Sequence, residues 1–530
     1  MSEDSSEIEL SALRTIAKGA GIVFSGLIIS KILSYLFRVF IARFYGPSDY
    51  GIFTLGLAIV SILVIIAVLG LSSGVTRYIA EYIAKKNFEG VKGVITSSMK
   101  MVFPLSIIFS IILFMSSSFL AIDVFHMPKL SEVLMILALS LPFSAGFSVI
   151  LASFLGFRKI KYKVYTESIF QNFLNLILVV LFGFFGYGLF GFSIAWLIST
   201  IITFFLGLYF LEKRTFRIIH TKISSISLEK NLLTYSMPLL LTYFLGVMVV
   251  YTDTLMLGYF KDASEVGIYN AAMPTAKILL MVSAALTSLF LPIITELYVK
   301  NMKREFENIF KTITRWIFFF NFPLFMLFIL FSQQALRILF GEPYVTGYIS
   351  LSFLSFGFFI SNTGKPLERI FEMNKKTKVL LYITLFVFII NFSLNYLLIP
   401  SSIELFGLPI YGYTGAAFAS MLTYIFSFVF LMIISYKYTK FNPFSIDILK
   451  AAICVILSVL IIYYIKEIFF EASSVIILLI LFIFYLILYL LFLLLFKCFR
   501  REDIEIIKVI EKKTGIRISF FRKTIKRFIY

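Results

Sequence analysis

The chain has 530 residues, of which 60% are hydrophobic and 15% are charged, and its formal net charge at pH 7 is +19. Globular proteins carry about 45–50% apolar and about 25% charged residues, so this composition excludes a water-soluble fold. Two cysteines and two histidines are too few for a disulfide framework or for most metal and acid–base sites, and we expect neither a cofactor nor a metal.

Runs of about 20 apolar residues, bounded by charges or turn residues, predict fourteen transmembrane helices. The fifth and sixth runs are separated only by a few residues around Gly186 and Gly188. The sequence therefore predicts an all-α, polytopic membrane protein. The runs lie at 19–42, 51–72, 94–117, 132–155, 166–185, 189–211, 233–258, 267–292, 316–332, 347–364, 380–399, 412–436, 447–465 and 473–496.

The basic residues outside these runs fall on alternate connections. With Lys450 at the start of the thirteenth run counted in the connection before it, the set that begins with the N-terminal tail holds 39 Lys and Arg residues, whereas the intervening set holds 5. Cytoplasmic loops carry the Lys/Arg excess, so we predict a plasma or inner membrane protein with both termini in the cytoplasm. The positive charge then faces anionic lipid at the cytoplasmic face, and nucleic acid is not an expected partner.

Short segments recur in order along the chain. Residues 51–53, 174–178 and 188–195 match residues 267–269, 394–398 and 412–419, and residues 77–81 have a weaker echo at 293–296, with offsets between 215 and 224. Chance recurrence of Gly and Asn in apolar sequence is the alternative. Six spans per half put both halves in the same orientation, so we predict two parallel repeats, as in several transporter folds. The predicted organisation is a tail (1–18), an N-lobe (19–212), a linker (213–232), a C-lobe (233–436), two further spans (447–496) and a basic cytoplasmic tail (497–530).

Two segments near the N-terminus carry a family resemblance. Residues 38–53 read RVFIARFYGPSDYGIF, and residues 69–81 read LGLSSGVTRYIAE. This GPxxYGxF segment with its downstream GLxxGxxRYxxE resembles the polysaccharide-biosynthesis flippases. These are the O-antigen, Wzx-like members of the multidrug/oligosaccharidyl-lipid/polysaccharide exporter superfamily. The resemblance implies a MATE-like fold, with two six-helix lobes forming a V around a central cavity and two extra helices beside the second lobe. It also implies transfer of an undecaprenyl- or dolichyl-linked oligosaccharide from the cytoplasmic to the outer leaflet.

Four basic residues lie inside predicted spans and more than four residues from the nearest connection when Lys450, the fourth residue of its run, is counted with the connection before it: Lys31, Arg38, Lys100 and Lys277. A central Lys or Arg costs about 2.5–3.5 kcal/mol on insertion, so each should face water or a partner. Lys31 and Arg38 share one face of the first helix, seven residues apart. The four are our predicted substrate-binding residues, because a lipid-linked glycan carries an anionic phosphate or pyrophosphate that cations complement. Lys100 could instead snorkel to the cytoplasmic face, and Lys277 could form an interhelical ion pair.

Asp253 is the clearest acid within a span. A repeat offset of 215 aligns it with Arg38, whereas the Gly51 offset of 216 aligns Arg38 with Thr254. We predict that Asp253 and Arg38 face each other and control opening or coupling, because substrate phosphate would compete for Arg38. A static pair between helices is the alternative.

Two rival functions remain. A multidrug or cation antiporter of the same superfamily would need acids lining the lobes, but the charges within the spans are predominantly positive. A membrane glycosyltransferase or polymerase would need a large outer loop or a DxD pair. Every predicted outer connection is about fifteen residues or shorter, and no DxD occurs. We therefore expect a monomeric flippase that is not an enzyme.

Overall fold

The computed structural model describes residues 3–218, 221, 223–281, 283–284, 286–287, 294, 297, 300, 302–373, 377–440, 442–469, 475–500 and 503–504. The chain divides into two compact units, residues 1–270 and residues 271–530. Most of the predicted basic tail, from 505 onward, lies outside the described residues. The predicted lobe and linker boundaries stay a prediction.

The first unit consists of long helices joined by short connections. Three π-helical stretches interrupt or extend them, at Leu120–Val124, Val164–Gln171 and Leu211–Thr215. The last helix begins in this unit and ends in the second. The helices are α1 (Glu3–Val68), α2 (Leu71–Ala84), α3 (Phe88–Phe119), α4 (Leu130–Gly156), α5 (Ile160–Phe184), α6 (Gly188–Phe210), α7 (Glu229–Phe260) and α8 (Ala263–Ala276).

The second unit is also helical in the part that the structure describes. A two-residue antiparallel pairing, β1 (Glu404–Leu405) with β2 (Leu408–Pro409), forms the connection before α13. A 3₁₀ turn at Glu342–Gly347 precedes α11. The helices are α9 (Lys303–Leu330), α10 (Ser332–Phe340), α11 (Tyr348–Met373), α12 (Thr377–Leu398), α13 (Gly412–Thr439), α14 (Ile446–Phe469) and α15 (Val475–Leu495).

Among the described residues, 12 helices are long and apolar enough to cross a membrane. One of them, Ile28–Val68, contains a break that separates the first two predicted spans. The eighth predicted span, 267–292, lies partly outside the described residues. The remaining eleven predicted spans each match one helix, which confirms the all-α, polytopic fold class.

The break in α1 occurs at two adjacent residues, Gly46 and Pro47. Gly46 has φ 79° and ψ 176°, a conformation that residues with a Cβ rarely adopt. Pro47 follows it and opens the next helical stretch, where its fixed φ is favourable and its missing N–H costs nothing. Glycine and proline together therefore reorient the chain between the first two spans while leaving both as helices.

Side-chain caps define other helix starts. Asn87 precedes α3 and accepts a hydrogen bond from the Gly90 backbone N–H at 2.8 Å. Asp262 precedes α8 and accepts from the Glu265 N–H at 2.9 Å. Each cap satisfies one of the backbone donors that a helix N-terminus leaves free.

Each unit has its own apolar packing. In the first unit, buried residues of α2, α3, α4 and α6 form a continuous core that includes Leu71, Val94, Ile150 and Phe204. In the second, α14 and α15 pack against α9 through two clusters of buried residues. The last two helices thus lie beside the second half of the chain, as the resemblance implied. The members of these two clusters are Phe319, Leu327, Ala451, Cys454, Val455, Ile462, Tyr485, Tyr489, Leu493 and Cys498.

Candidate functional site

The break at Gly46 brings Arg38 next to Tyr50. The Nη1 of Arg38 donates to the Tyr50 hydroxyl at 3.4 Å. Tyr50 is only 1% exposed, and Arg38 is half-buried. In the part of the chain that the structure describes, no carboxylate lies within ion-pair distance of Arg38; its neighbours are the neutral phenols of Tyr50 and Tyr251. A membrane-embedded cation therefore rests against a neutral group and keeps most of its five N–H donors for other partners.

Tyr50 in turn reaches α8. Its hydroxyl donates to the backbone carbonyl of Asn270 at 3.1 Å. In a regular helix that carbonyl would accept from the N–H four residues later, at position 274. Position 274 is a proline inside α8 and has no N–H. The proline thus frees the carbonyl to which Tyr50 donates.

The side chain of Asn270 continues this network onto α7. Its Nδ2 donates to Thr254 Oγ1 at 3.2 Å and to the Val266 carbonyl at 2.9 Å. The neighbouring Asp253 is 1% exposed and accepts a hydrogen bond from the Tyr269 hydroxyl. A buried acid is thereby held by a phenol on the adjacent helix.

These contacts form one polar cluster inside the first unit. We call it the Arg38–Asp253 cluster, and its charged members are Arg38 and Asp253. These are the two residues that the sequence predicted to control opening or coupling. Arg38 and Asp253 do not form an ion pair in this structure, and their role in opening or coupling stays a prediction. Its members are Arg38, Tyr50, Asp253, Thr254, Tyr269 and Asn270.

A reciprocal close contact lies beside the cluster. A Cβ at Gly51 would overlap the Ala263 carbonyl oxygen, and a Cβ at Gly267 would overlap the Pro47 carbonyl oxygen. The two contacts are equivalent under a repeat offset of 216. Position 263 is the repeat of position 47 and position 267 is the repeat of position 51, so each contact joins one of these positions to the repeat of the other. The two helix starts therefore approach each other as the related halves of a two-fold arrangement would, and both need glycine.

This symmetry selects between the two repeat offsets. At an offset of 216, Arg38 corresponds to Thr254, and Asp253 corresponds to Phe37 rather than to Arg38. The rings of Phe37 and Phe53 lie 6.1 Å apart, and the corresponding pair in the second half is Asp253 with Tyr269. One half thus has an apolar contact where the other has a hydrogen-bonded acid.

The other predicted residues lie elsewhere. Lys31 is exposed on α1, next to Ser30, whose hydroxyl accepts from Asn172 Nδ2 at 3.1 Å. Lys100 is exposed on α3 and interacts electrostatically with Glu229 at the start of α7. That position agrees with the snorkelling alternative.

Lys277 lies where α8 ends. The helix stops at Ala276, and a turn follows at Lys277, whose side chain is half-buried. The Ile278 N–H bonds the Thr275 carbonyl at 3.2 Å, a tighter i to i+3 turn. Lys277 thus occupies an interruption in the predicted eighth span rather than the middle of a continuous helix. Broken helices of this kind surround binding sites in several transporters.

The sequence interpretation missed two members of the cluster, Tyr50 and Tyr269. Tyr50 is the tyrosine of the GPxxYGxF segment, and Tyr269 stands in its echo at 267–269. The signal was present in the motif, but a tyrosine has no formal charge and was passed over in favour of the cations.

A cavity of about 620 Å³ opens at the predicted outer end of the first unit. It lies between the start of the second helical stretch of α1, the connection after α3 and the α7–α8 turn. None of the predicted substrate-binding residues lines it. Its polar lining includes Lys129, Lys261 and Asp262.

The fold of this chain is similar to that of several solved membrane proteins. A lipid II flippase MurJ in an inward closed conformation superposes with a TM-score of 0.73 and 18% identity, covering 90% of this chain and 98% of that one. An inward-facing multidrug resistance MATE family transporter of the MOP superfamily gives 0.66 and 17%, covering 78% and 96%. The MATE multidrug transporter DinF-BH gives 0.57 and 18%, covering 80% and 95%. The chain therefore has a MATE-like fold.

Sequence comparison then gives the family. The profile of the polysaccharide biosynthesis protein family matches residues 16–298, and a MatE profile matches residues 238–397. The chain belongs to the polysaccharide biosynthesis protein family, as the motif predicted. An uncharacterised membrane protein of Methanocaldococcus jannaschii is 25% identical over 419 residues, which cover 75% of this chain and 79% of that protein.

Proposed function

We propose that this protein is a flippase that moves a polyprenyl phosphate- or pyrophosphate-linked glycan from the cytoplasmic to the outer leaflet by alternating access. The observation that carries the proposal is the environment of Arg38. This cation lies within a span, in the family motif, against a neutral tyrosine instead of a carboxylate. A protein that spends about 2.5–3.5 kcal/mol to place such a charge in a membrane uses it for binding or coupling.

The chemistry of the substrate fits this arrangement. A lipid-linked glycan has an apolar tail that crosses lipid freely, and its phosphate is the group that a bilayer rejects. Arg38 can give a phosphate two parallel N–H donors, and Lys31, seven residues earlier on the same helix face, adds a second charge. Lys277 and Lys100 are proposed to bind the substrate phosphate at other points of the transport path. The fold is similar to that of a lipid II flippase, and this similarity supports a lipid-linked glycan as the substrate of the present protein.

The driving force need not come from ATP. An inside-negative potential favours outward movement of an anion by about 2.3 kcal/mol per charge per 100 mV. The predicted basic cytoplasmic face would also concentrate anionic headgroups on the entry side. Transport should therefore depend on membrane potential and on headgroup charge.

The test is a flipping assay with purified protein in liposomes. Liposomes carrying a labelled polyprenyl-pyrophosphate oligosaccharide are followed by the accessibility of the sugar to an enzyme outside. We expect wild-type protein to accelerate flipping over empty liposomes. Arg38→Ala should lower the rate at least about tenfold, as loss of one charge-assisted contact implies, and Arg38→Lys should retain part of it.

The matched control is Arg337→Ala, which removes one arginine charge from an exposed position paired with Glu342 at 2.7 Å. Its rate should equal that of wild type. Equal rates for Arg38→Ala and wild type would remove Arg38 from the mechanism. Failure of wild type to exceed empty liposomes with several carrier lipids would reject flipping itself.

The buried acid favours a second candidate, a cation antiporter. Asp253 is 1% exposed. The corresponding residue of the first half, Phe37, makes an aromatic contact with Phe53 instead. Such an acid is a candidate site for Na⁺ or H⁺. If the chain is an antiporter, it will export a cationic dye against an imposed gradient, and Asp253→Asn will abolish the export. In the flippase, the same variant should leave dye export absent and change only the gradient dependence of glycan flipping.

A further inference from the structure

A buried ionic cluster joins three distant parts of the second unit. Arg315 of α9 is 2% exposed, and its Nη1 donates to Asp447 Oδ2 at 3.1 Å while its Nη2 pairs with Asp503. Trp316 Nε1 donates to the same Asp503 carboxylate at 2.7 Å. The Nε of Arg500 pairs with Asp447 at 2.5 Å. The cluster therefore fastens α14 and the segment after α15 to α9.

Beside this cluster is a small pocket with unused donors. Its volume is about 30 Å³. Among the described residues, two buried donor atoms of its lining have no hydrogen-bond partner, Arg315 Nε and Ser445 Oγ. Buried donors that are left unsatisfied destabilise a fold, so the arrangement favours an acceptor bound between them. The lining residues are Asn308, Lys311, Thr312, Arg315, Ser445 and Arg500.

The charges select an anion as the occupant. Lys311, Arg315 and Arg500 contribute three positive charges, whereas the adjoining carboxylates of Asp447 and Asp503 contribute two negative ones. Both carboxylates are engaged by the arginines. The N-terminus of α14 begins directly after Ser445, and its dipole adds partial positive charge. The Ser445 hydroxyl can donate to an anion, whereas a cation would face the three positive charges of the lining.

We propose that this pocket binds a phosphate group on the side of the membrane predicted to be cytoplasmic. A volume of about 30 Å³ accommodates about two water-sized groups, so phosphate oxygens enter and the remainder of the molecule stays outside. The phosphate belongs either to the headgroup of a membrane lipid or to free phosphate. By contacting Arg315, Ser445 and Arg500, it fastens α9, α14 and the chain after α15 together. This site is separate from the transported substrate, and its existence does not depend on the flippase proposal.

Thermal unfolding of the full-length protein in detergent tests the site. Sodium phosphate is compared with sodium chloride at equal ionic strength, and short-chain phosphatidic acid with short-chain phosphatidylcholine. We expect phosphate or phosphatidic acid to raise the melting temperature of wild type by about 2 °C or more at saturation. The shift should disappear in Lys311→Gln and in Ser445→Ala, which keep the Arg315 ion pairs.

Lys303→Gln is the matched control, because it removes the same charge from an exposed position at the start of the same helix. It should retain the wild-type shift. Stabilisation by inorganic phosphate identifies free phosphate as a sufficient ligand, and stabilisation by phosphatidic acid alone identifies a lipid headgroup. No stabilisation by either, or an equal shift in Lys311→Gln and wild type, would overturn the proposal.

Discussion

At the scale of single residues, the informative feature is a tyrosine rather than a charge. Tyr50 accepts from Arg38 and donates to the Asn270 carbonyl, so one hydroxyl orients a cation and satisfies a backbone group inside the membrane. Tyr50 and Asn270 are both buried, so the Asn270 carbonyl depends on this hydroxyl for its hydrogen bond. In the proposed flippase, the same hydroxyl would orient Arg38 toward the substrate phosphate.

Tyr50→Phe should lower both the stability of the protein and its transport rate. The ring stays buried, but Arg38 and the Asn270 carbonyl each lose a partner, at a cost of about 1–3 kcal/mol. We expect a lower melting temperature in detergent and a flipping rate reduced roughly tenfold.

Tyr485→Phe is the matched control for that variant. Tyr485 is also fully buried, and its hydroxyl donates to the Pro323 carbonyl at 3.1 Å, far along the chain from Arg38. It should lose stability to a similar extent and flip at the wild-type rate. A Tyr50→Phe protein that is destabilised but transports normally would show that the hydroxyl has only a structural role.

The charged members of the cluster could be identified from sequence because a charge inside an apolar run is costly and therefore conspicuous. Arg38 and Asp253 stood out for that reason. Tyr50 and Tyr269 did not, because a tyrosine in a span is also an ordinary packing residue. Their roles depend on helix crossings and on the carbonyl freed by Pro274, which no local pattern specifies.

At the scale of helices, glycine sets how closely two elements meet. The second helical stretch of α1 and the helix α8 contact each other where each begins. Gly51 lies against the Ala263 carbonyl oxygen, and Gly267 lies against the Pro47 carbonyl oxygen. The approach places Tyr50 within reach of Asn270. The backbone geometry of the cluster therefore depends on the absence of two Cβ atoms.

Gly51→Ala should destabilise the protein by at least about 3 kcal/mol, because the new methyl group would overlap a backbone oxygen that cannot rotate away. The measurement is thermal unfolding in detergent together with the yield of monodisperse protein. Gly267→Ala should behave in the same way.

The control is Gly246→Ala within α7, where a Cβ would meet nothing within 4 Å. Since alanine favours a helix by about 1 kcal/mol over glycine, this variant should be neutral or more stable. Equal stability of the Gly51 and Gly246 variants would contradict the close approach.

The helices themselves were predictable, but their breaks were only partly so. Apolar run length located the spans and separated the first two between residues 42 and 51. The interruption at Lys277 was not expected, since Pro274 reads equally well as an ordinary kink. The 216 offset also needed coordinates, because loop lengths differ between the halves and let the alignment slip by one residue.

At the scale of the molecule, we propose a transporter whose membrane interior holds accessible positive charge. Composition and apolar run length predicted the fold class, because both follow from the cost of burying polar groups in lipid. The family was predicted from the resemblance of the motif at residues 38–53 and 69–81. The identity of the transported headgroup does not follow from those costs, since any phosphate carries the same charge.

Cysteine accessibility tests the central claim most directly. The two native cysteines, Cys454 and Cys498, are buried and are replaced by alanine. Single cysteines are then placed at Lys31 and, as a control within α3, at Ile108, which is 52% exposed. Both are treated in liposomes with a membrane-impermeant, negatively charged thiol reagent.

If water reaches the cations within the spans, Lys31→Cys is labelled, lipid-linked glycan slows the labelling, and Ile108→Cys is not labelled because it faces hydrocarbon. If Lys31→Cys resists the reagent as fully as Ile108→Cys does, the charged face of α1 is closed to water and the proposed binding path does not exist.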